Sequence, residues 1–406
     1  MPLPFPTNPA LAEISVYQPG RPIEEVAREL GLPSADIIKL ASNENPLGPS
    51  PAAVAAIQNA LAKINLYPDG NAFYLKQKLA AKLGLQSANL IVGNGSNEII
   101  EFVGHALLAA GPRQTSAVGR ARRSPARRSI HKNSVGRAGD RRALPAAFMD
   151  IPEVVVSQYC FAVYPLVTKL FNANLIAVPA KNYGHDLPAV LQAISPRTRV
   201  IFVANPNNPT GTAVPPAELK RFVEKVPDQV LLVLDEAYIE FLEGAADFLP
   251  PIRAGKKSNL LLMRTFSKIY GLAGLRVGYG IGHPELIAVL EKVRQPFNLN
   301  SLAQAAAVGA LDDSEHVRKT KLNNAAGLEF FAVAFRRLGL EFIPSAANFI
   351  LVRVGDGQRV FEQLQTRGII IRPMGGYQLA DWIRISIGTP PQNERCLGAL
   401  RTALGK

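Results

Sequence analysis

Short apolar runs recur along this chain, separated by amphipathic stretches. Leu90–Val92, Val154–Val156, Leu175–Val178, Val200–Ala204, Leu231–Asp235, Leu260–Arg264 and Val277–Ile281 are rich in Val, Ile and Leu. They are too short for helices and predict buried strands. Stretches such as Asn97–Ala109, Pro216–Val226 and Pro284–Arg294 carry helical spacing. Strands alternating with helices predict an α/β fold, with a mainly parallel seven-stranded sheet flanked by helices on both faces. Past Asn300 the rhythm changes. A long helix is expected over about Asp313–Leu338, then a strand at Phe349–Val354 and a helix near Val360–Arg367. Short strands at Ile369–Arg372 and Trp382–Ile387 follow. That pattern predicts a smaller α+β domain. No internal repeat is visible.

Gly111–Pro152 breaks this order. Connections between a helix and the next strand usually take about 2–6 residues. This one takes 42 and is rich in Arg, Ser, Ala and Gly. With little to bury, it is expected to be a surface excursion. An RNA- or membrane-binding tether is the sharper alternative. The segment also changes the reading of the charge. It holds ten Lys and Arg against two acids, and so contributes +8 of the chain's net +13. The rest of the chain is only mildly basic, which argues against nucleic-acid binding by the main fold.

Of the 406 residues, 48% are hydrophobic and 19% charged, enough apolar material for a large core. No apolar run approaches the roughly 18 residues of a membrane span. The opening MPLPFPTNPA lacks the basic and apolar blocks of a signal peptide. Two cysteines, Cys160 and Cys396, make no disulfide framework and point to a reduced, cytoplasmic setting. No metal is called for.

The candidate chemistry lies in four motifs that occur in order: Gly93-Asn94-Gly95-Ser96-Asn97, Asn205-Pro206-Asn207-Asn208-Pro209-Thr210-Gly211, Asp235-Glu236-Ala237-Tyr238, and Thr265-Phe266-Ser267-Lys268 with Arg276 eight residues on. Ser96 and Asn97 open a helix after a strand, so free backbone N–H groups and the positive dipole end suit a phosphate. An ordinary capped turn reads the same way. Asp235 closes a very apolar strand and can pair with a cationic nitrogen, or simply cap a helix. Asn208 and Tyr238 can hydrogen-bond a ligand oxygen, although an Asn-Pro pair is also a common turn. Lys268 follows a buried strand in a tight polar turn. A desolvated amine with a lowered pKa attacks an aldehyde and afterwards moves a proton. Ser267 and Arg276 are placed to join the phosphate cup.

This ordered set resembles the fold-type I aminotransferases that use pyridoxal 5′-phosphate, over the whole chain except Gly111–Pro152. Within them, Leu40-Ala41-Ser42-Asn43-Glu44-Asn45-Pro46, Leu66-Tyr67-Pro68, VSQYCFAVYPLVTKL, Ile371-Arg372-Pro373 and Trp382–Gly388 are similar to the histidinol-phosphate aminotransferase family. The resemblance implies that Asp235 keeps the cofactor's pyridine nitrogen protonated, that Asn208 and Tyr238 hydrogen-bond its phenolic oxygen, and that Phe161 stacks on its ring. It implies that Asn43, Arg372 and Arg384 bind substrate, the arginines through its anionic groups, and that Tyr17 reaches a substrate phosphate. Tyr67 would cross to the neighbouring subunit's cofactor phosphate in a homodimer. It further implies a large cofactor domain over 61–298, with the insertion at 111–152. A small domain would be built from 1–60, which includes an arm, and 299–406. The implied reaction exchanges an amino group between glutamate and imidazole acetol phosphate in histidine biosynthesis. The alternatives are an aromatic-amino-acid aminotransferase, a phosphothreonine decarboxylase, and a cofactor-binding protein without turnover. For Arg384, which lies in the alternating strand WIRISIG, one register step would turn the side chain outward.

Overall fold

Two-sided burial explains the unbroken apolar runs. The computed structural model describes residues 11, 14, 20–108 and 151–406. A two-residue strand β1 (Ile38–Lys39) precedes the seven strands of a large sheet. These are β2 (Leu90–Asn94), β3 (Glu153–Ser157), β4 (Asn174–Val178), β5 (Thr198–Ala204), β6 (Leu231–Asp235), β7 (Leu260–Thr265) and β8 (Val277–Gly282). Their spatial order is β2-β8-β7-β6-β5-β3-β4. Along β6, Leu232 and Leu234 join the core on one face while Leu231 and Val233 join the core on the other. β5 and β7 divide their side chains the same way. A sheet covered by helices on both faces has no polar side to show, so its strands lose the apolar–polar alternation. The burial expected at Leu175–Val178 fails, because β4 is an edge strand that leaves Ala177 exposed and Leu175 and Ile176 half-buried.

The exception to parallel pairing is β8, antiparallel to both β7 and β2. Thr265 at the end of β7 and Gly93 near the end of β2 both face Gly278. The β7–β8 connection and the β2 carboxyl end therefore meet at one place.

The C-terminal part carries β9 (Phe342–Ile343), β10 (Phe349–Arg353), β11 (Ile369–Ile370), β12 (Arg372–Pro373) and β13 (Trp382–Ser386). An antiparallel sheet runs in the order β12-β13-β10-β9, and β1 pairs in parallel with β11. Helices Ser314–Arg337 and Pro390–Leu404 cover it, burying Phe331, Phe335, Cys396 and Leu400 against Ile350, Val352, Ile383 and Ile385.

Some expectations shift. The single strand expected at Ile369–Arg372 is split between two sheets, because Ile369–Ile370 pairs with β1 and Arg372–Pro373 with β13. The helix expected over Asn97–Ala109 is α-helical over Ser96–Val103 and continues as a wider π-turn over Gly104–Leu108. A Cβ on Gly104 would meet the Phe171 ring at 2.4 Å, so a side chain cannot stand there. Ala109 and the rest of the Arg-rich segment through residue 150 lie outside the described residues. Helices Pro51–Ala60 and Ser301–Asp312 escape a periodicity reading because Ala occupies most of their faces. They pack on each other so closely that a Cβ on Gly309 would stand 2.6 Å from the Ala52 carbonyl oxygen. Gly309→Val should therefore destabilise the protein by about 1–3 kcal/mol through overpacking. Urea denaturation checks this, and an unchanged midpoint would contradict the close helix contact.

Candidate active site

A cleft of about 380 Å³ opens at the carboxyl ends of β2, β5, β6 and β7, where ligands bind in open α/β sheets. It is lined by Ser96, Asn97, Phe161, Asn208, Asp235, Tyr238, Ser267, Lys268 and Arg276, together with Asn43, Arg372 and Arg384. Residues from four distant motifs and from both sheets thus share one cavity.

One end is an anion cup. Gly95, at φ 75°, turns the chain from β2 into helix Ser96–Val103, and no side chain caps the helix start. The Gly95 amide donates to the Arg276 carbonyl at 2.9 Å. A Cβ on Gly95 would meet the Arg276 guanidinium at 2.3 Å. On β8, a Cβ on Gly278 would meet the Ser96 amide nitrogen at 2.3 Å. Missing side chains at both positions let the uncapped helix end, Ser267 and Arg276 converge. Arg276 reaches Ser267 Oγ at 3.4 Å. Open N–H groups, a hydroxyl and a guanidinium together fit a phosphate.

At the floor stands Asp235, 6% exposed. Its Oδ1 accepts the Ala237 amide at 3.0 Å and its Oδ2 accepts the Tyr164 hydroxyl at 2.5 Å. Burial pushes its pKa up to about 6, opposed mainly by the Tyr164 and Ala237 hydrogen bonds. A cationic ring nitrogen placed against it would favour the ionised form.

Lys268 is partly buried at the cleft wall, 5.7 Å from the centre of the Tyr238 ring. Burial, reinforced by the Arg384 and Arg276 charges, lowers its pKa to about 8. The amine is therefore closer to its neutral, nucleophilic form than an ordinary lysine is at neutral pH. The cup, the floor carboxylate and this amine fit the phosphate, the ring nitrogen and the aldehyde of pyridoxal 5′-phosphate.

The substrate side is tied to the cofactor side. Tyr238 accepts the Asn43 side-chain amide at 2.9 Å. Asn43 in turn exchanges hydrogen bonds with Ser386 on β13. Arg384 donates to Asn208 Oδ1 at 2.7 Å and to the Ala41 carbonyl at 3.0 Å. Its register is thereby settled: Ile383, Ile385 and Ile387 face the small-sheet core, and Arg384, 7% exposed, lines the cleft. Arg372 on β12 lies directly opposite Arg384.

Two of the expected residues are not gathered here. Tyr67 is 84% exposed, does not line the cleft, and stacks on Phe297 at 4.8 Å. Tyr17 lies outside the described residues. Other residues were not singled out by sequence. Asn207 donates to the Tyr159 carbonyl at 2.9 Å and to Thr210 Oγ1 at 2.8 Å, fastening the loop that carries Phe161. Half-buried His185 bridges Ser157 and the Ala204 carbonyl, at the carboxyl ends of β3 and β5. Tyr164 stands three residues after Phe161, a helical spacing that could have linked the two.

Fold and cleft together define a pyridoxal-phosphate-dependent transferase of fold-type I. The chain belongs to the aminotransferase class I and II family, whose model matches residues 35–113 and 136–400. The interval between the two matched stretches falls inside the Arg-rich segment. The chain is 48% identical over 398 residues to a histidinol-phosphate aminotransferase of Akkermansia muciniphila, covering 98% of each. It is 47% identical to histidinol-phosphate aminotransferase 2 of Ralstonia nicotianae, over 97% of this chain and 96% of that protein. Among solved structures, it is similar to histidinol-phosphate aminotransferase from Sinorhizobium meliloti in complex with pyridoxal-5′-phosphate. That match has a TM-score of 0.81 and 27% identity, over 98% of this chain and 97% of the other.

The lowered lysine pKa predicts a measurable reactivity. In the cofactor-free protein, trapping of a small aldehyde at Lys268 by reduction should rise with pH through about 8, because only the neutral amine attacks. Mass spectrometry of the trapped peptide reads this directly. A midpoint near 10.5, the value of an ordinary lysine, would contradict the desolvated site.

Proposed function

We propose that this chain exchanges an amino group between glutamate and imidazole acetol phosphate, the histidinol-phosphate aminotransferase step of histidine biosynthesis. Two arginines side by side across β12 and β13 carry this reading. Like charges directly opposite each other weaken a strand pair. Here both line the same cleft, where anionic substrate groups offset the repulsion. Arg384, fixed by Asn208 and Ala41, is assigned to the α-carboxylate of glutamate. Arg372, with Tyr17, is assigned to the phosphate of histidinol phosphate.

Pyridoxal 5′-phosphate, when bound, supplies the electron-withdrawing ring that makes the substrate Cα–H removable. The protein's own groups do the rest. Ser96, Asn97, Ser267 and Arg276 hold the phosphate. Asp235 holds the ring nitrogen in its protonated form. Phe161 covers one ring face, and Asn208 and Tyr238 orient the phenolic oxygen. Lys268 would hold the aldehyde end of the group and would serve as the base that accepts and returns the substrate Cα proton. Because Asn208 also accepts from Arg384, seating a substrate anion and orienting the ring oxygen are mechanically linked.

The reading includes a homodimer in the cytoplasm. Leu61, Ile64, Leu66, Tyr67, Phe73, Tyr74 and Phe297 are all exposed large apolar side chains. Monomers seldom expose so much apolar surface, and a second copy would cover it. The reading divides the chain at 61–298 and 299–406 and joins 1–60 to the small domain; the β1–β11 pairing supports that join at Ile38–Lys39. No helix among the described residues is long and apolar enough to cross a membrane.

The deciding experiment compares histidinol phosphate with phenylalanine as amino donors to 2-oxoglutarate. A kcat/KM favouring phenylalanine would replace this reading with an aromatic aminotransferase. Arg372→Ala should weaken histidinol phosphate, and Arg384→Ala should weaken glutamate, each by about 1.5–3 kcal/mol in kcat/KM. An unchanged histidinol-phosphate kcat/KM in Arg372→Ala would remove the phosphate assignment. Lys268→Ala should abolish turnover. Mixing it with Tyr67→Ala subunits should restore part of the activity, because each mixed dimer holds one intact composite site. Absence of recovery despite demonstrated subunit exchange would place Tyr67 in its own chain's chemistry or in none.

A further inference from the structure

We propose that Tyr164 is a positioning residue for the cofactor ring: its hydroxyl fixes the Asp235 carboxylate while its ring edge braces Phe161. This rests on the cofactor site described above and deepens it. Tyr164 is fully buried in the first turn of helix Val163–Leu170. Its backbone amide donates to the Phe161 carbonyl at 3.0 Å, and its carbonyl accepts the Thr168 hydroxyl at 2.7 Å. Its ring lies nearly parallel to Phe202 of β5, centroids 4.6 Å apart, and meets Phe161 edge-on at 5.7 Å. Backbone and ring are thus both held, so the hydroxyl stays aimed at Asp235 Oδ2.

A phenol that only filled the core would need some hydrogen-bond partner, and a backbone carbonyl would serve. This one is spent on a buried carboxylate, beside Glu236, Lys268, Tyr238 and Cys160. Burial pushes the Tyr164 phenol far up, so it remains a donor at every working pH. Donation to a carboxylate favours its ionised form, against the burial that raises Asp235 and the like charge of Glu236. A ring nitrogen is held protonated only by an ionised partner. Tyr164 therefore sets both where the floor carboxylate stands and over what pH range it is charged. Through Phe161, the same side chain locates the stacking face relative to that carboxylate.

The test uses Tyr164→Phe, which keeps the ring and removes the donor. Affinity for pyridoxal 5′-phosphate is measured by fluorescence titration of the full-length cofactor-free chain from pH 5.5 to 8.5. Its thermal melt verifies the fold. Affinity should fall roughly ten- to hundredfold, the range of a hydrogen bond to a charged group. The acid limb of the profile should move to higher pH. In an Asp235→Asn background, where no charge is left to stabilise, adding Tyr164→Phe should change affinity less than about threefold. An unmoved affinity and profile would overturn the proposal, as would equal losses in both backgrounds, which mark a purely structural tyrosine. If Tyr164→Phe fails to fold, 3,5-difluorotyrosine at position 164 keeps the shape and makes a stronger donor. The acid limb should then move to lower pH, and an unmoved limb overturns the proposal. Failure of the unsubstituted chain to bind the cofactor would instead sink the cofactor reading itself.

Discussion

In the proposed site, Asp235 is a carboxylate that has to carry charge at the end of a strand buried on both faces, and much of the cleft's geometry bears on that constraint. Every residue of β6 is buried, which is what makes its carboxyl end a low-dielectric floor. A charge there is costly unless it is hydrogen-bonded and meets an opposite charge. The protein supplies the Ala237 amide and the Tyr164 hydroxyl. In the proposed function, a cofactor ring nitrogen would supply the rest. The same dry environment lowers the Lys268 pKa, so one cavity yields an acid that resists ionising and a base that resists protonation. Both pKa values are drawn toward neutrality, and groups perturbed in this way inside a cleft are candidates for chemical roles.

The antiparallel strand β8 is the second organising feature. A wholly parallel sheet would return each chain to the opposite end through a helix. Because β8 runs backward beside β7, the connection between them stays at the carboxyl end of the sheet. That connection carries Ser267, Lys268 and Arg276. Pairing of β8 with β2 then brings the uncapped helix start of Ser96 against Arg276. One reversal of strand direction thus assembles the phosphate cup and places the lysine beside it. The glycines at 95 and 278 are the local condition for that approach.

The antiparallel sheet orients Arg384 through register. On β13, isoleucines alternate with Trp382, Arg384 and Ser386, so the core that buries Ile383 and Ile385 also turns Arg384 toward the cleft. A slip of one residue would bury the wrong set and turn the arginine away. Stability and the placement of the cleft arginine therefore share one alternation. The hydrogen bonds from Arg384 to Asn208 and from Asn43 to Tyr238 carry that fixed register across to the large sheet.

By itself, the sequence determined the seven strands of the large sheet, the α/β class, the smaller C-terminal sheet and many of the residues that line the cleft. Those features are written locally, in continuous apolar runs, in glycine-rich turns and in polar motifs that end strands. Only the tertiary structure decided which way Arg384 faces, because a strand's two faces are equivalent until one of them is packed. It also decided that Ile369–Arg372 divides between two sheets, since that depends on partners more than three hundred residues away at β1 and next door at β13. The Ala-rich helices Pro51–Ala60 and Ser301–Asp312 show no clear apolar face until each is seen against the other. Tyr164 was invisible for the same reason. Its hydroxyl acquires a meaning only where folding sets it against a carboxylate 71 residues away.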